Sequence, residues 1–474
     1  MLRGSRSGDV AADTPKAITM KALRRAIRSV LKTPSLPRRH CWLPFACVAA
    51  FAGGALAEPA GTDAPFRISE NHRYLVDRHD VPFLLQGDAA WSLIANLTKE
   101  DAEVYLKNRH DKGFNAVLVN LIEHKFAKNA PRNFYGDAPF SGSTDLSAPN
   151  EKYFQHADWV IQKAAENGLV VLLAPVYLGF PDRDEGFYDE VMANGPEKCL
   201  AYGRFLGQRY RGVDNIIWVM GGDRDPGPAR ENVDMVAYGI RESDRRHLMT
   251  AHCHSDSAPA EQYPGSWLEV STSYAYEIVH LRLTWDYERK PEIPLFLIES
   301  IYEGEHNSSE LQIRRQAYWS VLCGEFGHVM GNLPIWSFDP GWQAALESPG
   351  STALVRWGRL FRSRPWYGLA PDKDHKIVTA GLGEFWGLDY LTAAATPDGG
   401  TVMAYLPSSR TITVDLSRLA KGHAKAWWFN PRTGDAVEAG TFATEGAKQF
   451  TPPSEGDWVI VLDDASKRLP APGS

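Results

Sequence analysis

The sequence predicts an α/β chain: a (β/α)8 TIM barrel followed by a small antiparallel β-sandwich. Three observations carry that expectation. From about Pro82 to Arg362, short and nearly continuous apolar runs alternate with amphipathic stretches. Eight such units in about 280 residues is the arithmetic of a closed (β/α)8 barrel. After Arg364-Pro365-Trp366 the texture changes to short alternating segments separated by turn residues.

The expected barrel strands are, in order, Pro82–Gly87, Asn115–Val119, Val170–Pro175, Asn215–Met220, His247–His252, Leu268–Ser273, Pro294–Glu299 and His328–Met330. Runs such as VVLLA and NIIWVM lack polar alternation, as parallel strands covered on both faces do. Between them lie expected helices at Thr98–Asp111, Asn150–Asn167, Gly195–Tyr210, Pro228–Asp244 and Ser309–Cys323. Thr98 with Asp101 is a capping arrangement, and Asn167-Gly168 is a stop signal. An open doubly wound sheet is the alternative, but it advertises a glycine-rich first turn. Here that turn reads Gly87-Asp88-Ala89-Ala90-Trp91, which is no dinucleotide fingerprint. The sandwich is expected to hold strands at Gly400–Tyr405, Thr411–Asp415, Ala424–Phe429 and Trp458–Leu462. Adjacent Trp427 and Trp428 must point to opposite faces of a strand, one to the core and one to a domain interface or exposed patch. Trp357, Trp366 and Trp386 are expected to pack the two domains together.

The domains divide as 1–57, 58–364 and 365–474. The first is a long basic leader whose apolar run Cys41–Ala57 ends in Ala55-Leu56-Ala57, the small-x-small pattern of a signal peptide. Either Met1 or Met20 serves as its start. The expectation is an exported protein, periplasmic or secreted, with no stable membrane insertion once the leader is removed. That leader carries ten Lys/Arg and two Asp, so the net charge of −7 becomes −15 on the remainder. Nucleic acid is excluded as a partner, because its binding needs a basic face. Cys199, Cys253 and Cys323 are far apart, so neither a disulfide framework nor a CxxC metal site is expected. Oligomeric state is left open. The 15 tryptophans exceed what a core needs and tilt the reading toward sugar, whose C–H faces stack on flat rings.

Barrel enzymes place their chemistry where strands end. Reading off those ends gives Asp88 and Trp91, Asn120 and His124, Tyr177, Asp223, His252, Tyr274 and Tyr276, Glu299 and Tyr302, and Trp336. Asp223 and Glu299 stand out, because glycoside hydrolysis needs two carboxyl groups flanking one anomeric carbon. Gly221 and Gly222 allow close backbone approach there. Asp88, Trp91, His124, Tyr177, His252, Tyr276, Tyr302 and Trp336 are the expected substrate-binding residues, with Tyr302 placed to orient Glu299. Asp182, Asp184 and Glu185 lack an ordered calcium-ligand spacing and read as a solvated loop.

The barrel resembles the apiosidase-like glycoside hydrolase family, through PFLLQGDAAWSL (82–93), NIIWVMGGD (215–223), PLFLIESIYEG (294–304) and RRQAYWSVLCGEFGHVMGNLPIW (314–336). The C-terminal region, with WWFNPRTG (427–434), resembles the β-sandwich often fused to it, once labelled collagen-binding. The resemblance implies Asp223 as acid/base, Glu299 as nucleophile and no cofactor. It implies hydrolysis, by an exo-acting or short-chain enzyme, of terminal or side-chain sugars from plant or microbial polysaccharide. The chain departs from the family's pattern after the fifth strand, at Thr250-Ala251-His252-Cys253-His254, and after the eighth, at Met330-Gly331. Both departures lie where sugar rings bind, so they bear on substrate identity. Two alternatives differ in class: a metal-dependent TIM-barrel hydrolase using His252-Cys253-His254 as a chelating pair, and a non-catalytic carbohydrate-binding protein. Retention is the expected stereochemistry, provided the paired glycines bring the short Asp223 side chain inward.

Overall fold

The computed structural model describes residues 64–474 except 143, 181, 182 and 184. The leader, its export signal, and Asp182 and Asp184 lie outside the described residues. Among the described residues no helix is long and apolar enough to cross a membrane.

All eight apolar runs become parallel barrel strands: β1 Leu85–Ala89, β2 Ala116–Asn120, β3 Val170–Ala174, β4 Ile216–Gly221, β5 Met249–His252, β6 Ser271–Tyr274, β7 Leu295–Glu299 and β8 Gly327–Met330. They hydrogen-bond in the order β5-β4-β3-β2-β1-β8-β7-β6, leaving one seam between β5 and β6. There the amides of Glu269 and Val270 donate to the Met249 carbonyl at 3.0 and 3.2 Å. The Thr272 hydroxyl donates to the Ala251 carbonyl at 2.6 Å, so a side chain helps to close the ring.

The first strand differs from expectation. Pro82–Phe83 leaves the barrel and pairs antiparallel with Leu75–Asp77, which pairs in turn with Phe66–Ile68. Proline has no N–H for a parallel ladder, so the barrel strand starts later, at Leu85. Strand alternation then decides which side chains face inward. Gly87 meets Val329 inside the barrel. Gln86 faces the helices, donating to the Leu354 carbonyl at 3.0 Å.

Eight helices return the chain: α1 Lys99–Asp111, α2 Glu151–Glu166, α3 Tyr188–Tyr210, α4 Arg230–Ser243, α5 Pro259–Gln262, α6 Val279–Tyr287, α7 Glu310–Leu322 and α8 Pro349–Arg362. Thr98 caps α1 by accepting from the Asp101 amide at 3.0 Å, as its spacing predicts. Helix α3 begins before the expected Gly195, which sits inside it as a kink at φ 68° ahead of Pro196. Helix α8 was not expected, although Ser348 caps it and Pro349 opens it.

The C-terminal region holds β9 Ala370–Pro371, β10 Val378–Ala380, β11 Thr392–Ala395, β12 Thr401–Leu406, β13 Ile412–Asp415, β14 His423–Phe429, β15 Ala436–Ala443, β16 Ala447–Phe450 and β17 Trp458–Asp464. An antiparallel six-stranded sheet, β9-β11-β12-β17-β14-β15, faces a three-stranded one, β10-β13-β16. Between them lies a core containing Val378, Val402, Val414, Trp428 and Ile460. Trp428 faces this core. Trp427 packs from the other side of β14 onto the cluster shared with the barrel.

Helix α7 joins the two domains. Every residue from Ile313 to Leu322 is buried, which requires partners all round. Tyr318 stacks on Tyr405 of the sandwich at 4.7 Å and 10°. The Arg314 guanidinium grips Asp457 through two bonds of 2.8 and 3.0 Å. Trp357 and Trp366 are buried in the shared cluster. The expected third tryptophan, Trp386, is half-buried. Its neighbour Phe385 touches the barrel instead, with its carbonyl 2.8 Å from His280 Nε2.

Candidate active site

The end of β4 makes an unusual turn. Gly221, Gly222 and Asp223 follow one another with φ of 78°, 134° and 55°. A Cβ on Gly222 would lie 2.2 Å from the Tyr177 ring, and one on Gly221 would lie 2.6 Å from the His252 carbonyl. Only glycine fits at either position. Asp223 itself occupies the left-handed region, which aspartate tolerates better than most residues but at a cost of roughly 1–3 kcal/mol. The turn carries the Asp223 backbone over the mouth, where its amide donates to His252 Nδ1 at 2.8 Å.

Glu299 closes β7 and is 8% exposed. Its Oε2 lies 2.8 Å from His252 Nε2. The tautomer follows from these two contacts. A backbone amide can only donate, so Nδ1 is the acceptor and the ring proton sits on Nε2, aimed at Glu299. Burial works against a charge on His252 while the Glu299 carboxylate favours one, and the balance raises its pKa. The amide nevertheless occupies the only place for a second proton, and the ring stays neutral. For Glu299, burial dominates and pushes its pKa up to about 6, helped by Asp223 and opposed by the His252 hydrogen bond.

One atom each of Asp223, His252 and Glu299 lie within 4.8 Å of one another. Carboxylate, imidazole and carboxylate could in principle hold a metal, which is the metal-hydrolase alternative. The tautomer speaks against it, because Nε2–H has no lone pair to offer while the Asp223 amide fills Nδ1. His254, the other half of the expected chelating pair, turns back to the Ser255 carbonyl at 2.8 Å.

Two phenols hold Asp223. Tyr177 donates to Oδ2 at 3.1 Å and Tyr274 to Oδ1 at 2.9 Å. Burial and the nearby carboxylates hold both phenols protonated. Tyr276 extends the chain, its hydroxyl 2.6 Å from that of Tyr274. Trp91 packs between Tyr177 and His252, at 5.4 and 5.7 Å. Its indole N–H donates to the Tyr302 hydroxyl at 3.0 Å. The half-buried Phe126 bridges Tyr177 and Trp336, at 5.3 Å from each, and Trp336 Nε1 donates to Glu305 at 3.0 Å.

The structure therefore gathers Asp223, Glu299, Trp91, Tyr177, His252, Tyr276, Tyr302 and Trp336 around one mouth. One expected residue stands elsewhere, and another, His124, is engaged with neighbours beside Tyr177. Asp88 is a correction: alternation along β1 turns its carboxylate outward into the helix layer, where it accepts from Tyr105 at 2.7 Å and pairs with the buried Arg109 at 3.3 Å. His124 pairs with Glu190 at the start of α3 at 2.8 Å and packs edge-on against Phe187. The expected role of Tyr302 also shifts, since His252 holds Glu299 and Tyr302 holds Trp91.

Sequence reasoning left Tyr274, Phe126, Asn120 and Glu123 out of the binding set. Ala116 and Leu118 of β2 belong to the same core cluster as Ile217 and Val219 of β4, and alternation puts Asn120 on their face. Asn120 is 1% exposed; its amide lies beside the Glu123 carboxyl and makes no close hydrogen bond among the described residues. Its backbone donates to the Trp91 carbonyl at 3.0 Å, which places it beside the mouth. Glu123 is held by Ser92 at 2.6 Å, and burial pushes its pKa up to about 7. The signal for Asn120 was present, as the last inward position of an apolar strand.

The sequence profile described as "Apiosidase-like, catalytic domain" matches residues 69–368. A second, "Putative collagen-binding domain of a collagenase", matches residues 374–463. No curated protein matches the chain. Among solved structures, one titled "Glycoside hydrolase" is 25% identical with a TM-score of 0.76, over 87% of this chain and 99% of that one. A glycoside hydrolase family 5 structure from Bacteroides vulgatus is also 25% identical, with a TM-score of 0.77 over 86% of this chain and 94% of that one.

Proposed function

From the premise that this chain belongs to the apiosidase-like catalytic-domain family and is a glycoside hydrolase, we propose that it removes terminal or side-chain sugars from plant or microbial polysaccharide with retention of configuration. The separation of the two carboxylates carries this reading. With oxygens of Asp223 and Glu299 within 4.8 Å, the pair falls at the short end of the rule that gives about 5–5.5 Å for retaining enzymes. An inverting pair would stand about 6.5–9.5 Å apart to admit a water.

In this scheme Glu299 attacks the anomeric carbon while Asp223 gives a proton to the departing oxygen. The glycosyl–Glu299 ester is then cleaved by water, whose proton returns to Asp223. The His252 Nε2–H keeps one Glu299 oxygen engaged, aims the other at the sugar, and stabilises the carboxylate when it leaves again. Asn120 and Tyr276 offer donor and acceptor atoms to ring hydroxyls. Glu185 and Glu305 add negative charge near the mouth, which favours a neutral sugar over a uronate in the bond-breaking position.

One observation favours exchanged roles. Asp223 already accepts two phenol hydrogen bonds, the environment of an ionised nucleophile, while Glu299 is the acid with the raised pKa. Azide rescue separates the two readings on whichever aryl glycoside a panel shows to be cleaved. An Asp223→Ala enzyme should yield a glycosyl azide of retained configuration, and Glu299→Ala one of inverted configuration. The reverse pattern exchanges the roles. Following the first-formed anomer of the wild-type reaction by NMR tests retention itself, and an inverted first product would make Glu299 a general base.

A further inference from the structure

Side chains around the barrel mouth touch one another in a closed series. Tyr177, after β3, lies 5.3 Å from Phe126 in the loop after β2, and Phe126 lies 5.3 Å from Trp336 in the loop after β8. Trp336 Nε1 donates to Glu305 in the loop after β7 at 3.0 Å. The next residue, His306, meets the Tyr276 ring at 5.9 Å. The Tyr276 hydroxyl lies 2.6 Å from that of Tyr274 at the end of β6. Tyr274 donates to Asp223, after β4, at 2.9 Å, and Tyr177 donates to the same carboxylate at 3.1 Å. That contact returns the series to its start. Taken by strand it visits β3, β2, β8, β7, β6 and β4, which in the order of the sheet is one full circuit of the barrel axis.

Burial separates a rim from a floor. Phe126, Asp223, Tyr276, Glu305 and Trp336 are half-buried and His306 is exposed. Trp91, His252, Glu299 and Tyr302, which the circuit encloses, are buried. Aromatic rings are in contact when their centroids stand about 4.5–7 Å apart, so the ring-to-ring links leave no gap that a sugar could pass. The hydrogen-bonded links are tighter still. A cleft that threads a polysaccharide needs two breaks in its rim, one where the chain enters and one where it leaves. Among the described residues this rim has neither, and the way in runs along the barrel axis. Phe126 closes the span from the loop after β2, past β1, to the loop after β8, and it does so through ring contacts alone.

We propose that the mouth is a blind pocket for a single sugar ring, and that Phe126 and Trp336 are the residues that enforce this by walling off a second one. The inference rests on the reading that Asp223 and Glu299 cleave a glycosidic bond, and it narrows the substrate of that reaction. The ring in the pocket supplies the anomeric carbon, so its own hydroxyls face the closed wall. It can carry no further sugar. The substrate is then the unsubstituted non-reducing end of a chain, or a branch one residue long. Removing the Phe126 ring breaks the wall without touching either carboxylate.

Paired nitrophenyl glycosides test this, each a monoglycoside with the matching bioside in which a second sugar is attached to the first. Apiofuranosides, arabinofuranosides, galactopyranosides and xylopyranosides make up the panel. The readout is kcat/KM for release of the monosaccharide from one member and of the intact disaccharide from the other. In whichever pair is cleaved, the wild-type chain should favour the monoglycoside by at least about 100-fold. Phe126→Ala should shrink that preference by at least about 10-fold, and Trp336→Ala should shrink it as well. Phe126→Tyr keeps the ring and should keep the preference. A site that is only damaged would lose both rates together and leave their ratio in place. Two outcomes overturn the proposal: wild-type release of intact disaccharide at a rate comparable with that of the monosaccharide, or a ratio that stays put in both alanine variants. Cleavage of neither member of any pair would instead overturn the catalytic reading, so the two failures are distinct.

Discussion

The barrel mouth and the barrel–sandwich joint are both rich in buried polar groups, but they treat them oppositely. At the joint the buried carboxylates are matched. Asp457 accepts two bonds from Arg314 and one from Tyr405, and Asp463 accepts from Arg364 and Thr401. At the mouth the two carboxylates are crowded together, Asp223 sits at positive φ, and the Asn120 amide makes no close hydrogen bond among the described residues. The joint spends its polar groups on fixing geometry. The mouth holds them in reserve for a substrate, which is how strain and unsatisfied groups persist at functional sites.

The sharpest way to break this contrast is to remove charge from each side. Asp223→Asn or Glu299→Gln should lower kcat by about 10³-fold or more, because each keeps its volume and loses only its proton or nucleophilic chemistry. Their melting temperature should hold or rise, since a crowded pair of acids has been relieved. Near-normal turnover in clean, folded protein would remove the assignment. At the joint the pattern should reverse. Asp457→Ala strands the buried Arg314 and should cost about 3–5 kcal/mol of stability, read as a lower denaturant midpoint. Turnover per folded molecule should be unchanged. An Arg314→Met/Asp457→Ala double variant should recover much of the loss, and failure to do so would show that the pair does more than satisfy itself.

The same contrast explains what the sequence could disclose. Periodicity reports burial, so the eight strands of the barrel were legible from apolar runs alone. Where the residue type breaks the run, the reading slipped. The run from Pro82 places the first strand too early, and it puts Asp88 at the strand's end, whereas Asp88 lies within the strand and faces the helix layer. Helix α6, nine residues long, spans too few turns to show a stripe, whereas α8 carries a clear one in Ala353, Leu354, Trp357, Leu360 and Phe361 that the expected helices leave out. At the site, Asp223 and Glu299 were visible because acids at the ends of two strands are rare. Contacts such as His252 to Glu299 cross 47 positions and leave no local signal. The four expected runs of the sandwich are strands, while β9, β10, β11, β15 and β16 lie outside them: β9 and β10 are two and three residues long, β11 is Thr-Ala-Ala-Ala, and β15 and β16 are only partly buried.

The finest test of the mouth concerns the hydrogen bond that His252 gives Glu299. Burial raises the Glu299 pKa to about 6 and the bond holds it down. If ionised Glu299 is the nucleophile, kcat/KM should fall as pH drops through about 6, the acid limb of the profile. His252→Phe keeps a ring against Trp91 and removes Nε2–H, so the carboxylate loses its donor and the limb should move to higher pH. A shift of about one unit corresponds to roughly 1.4 kcal/mol, close to the worth of one hydrogen bond to a charged group. The stability consequence has its own sign. A carboxyl whose pKa is raised by folding contributes stability that is complete below its unfolded value and is lost as pH rises through about 6. The variant should therefore lose more stability near neutrality than in acid. An acid limb that stays in place in His252→Phe would mean that the ring does not hold the ionised carboxylate, and that Glu299 works instead as the proton donor.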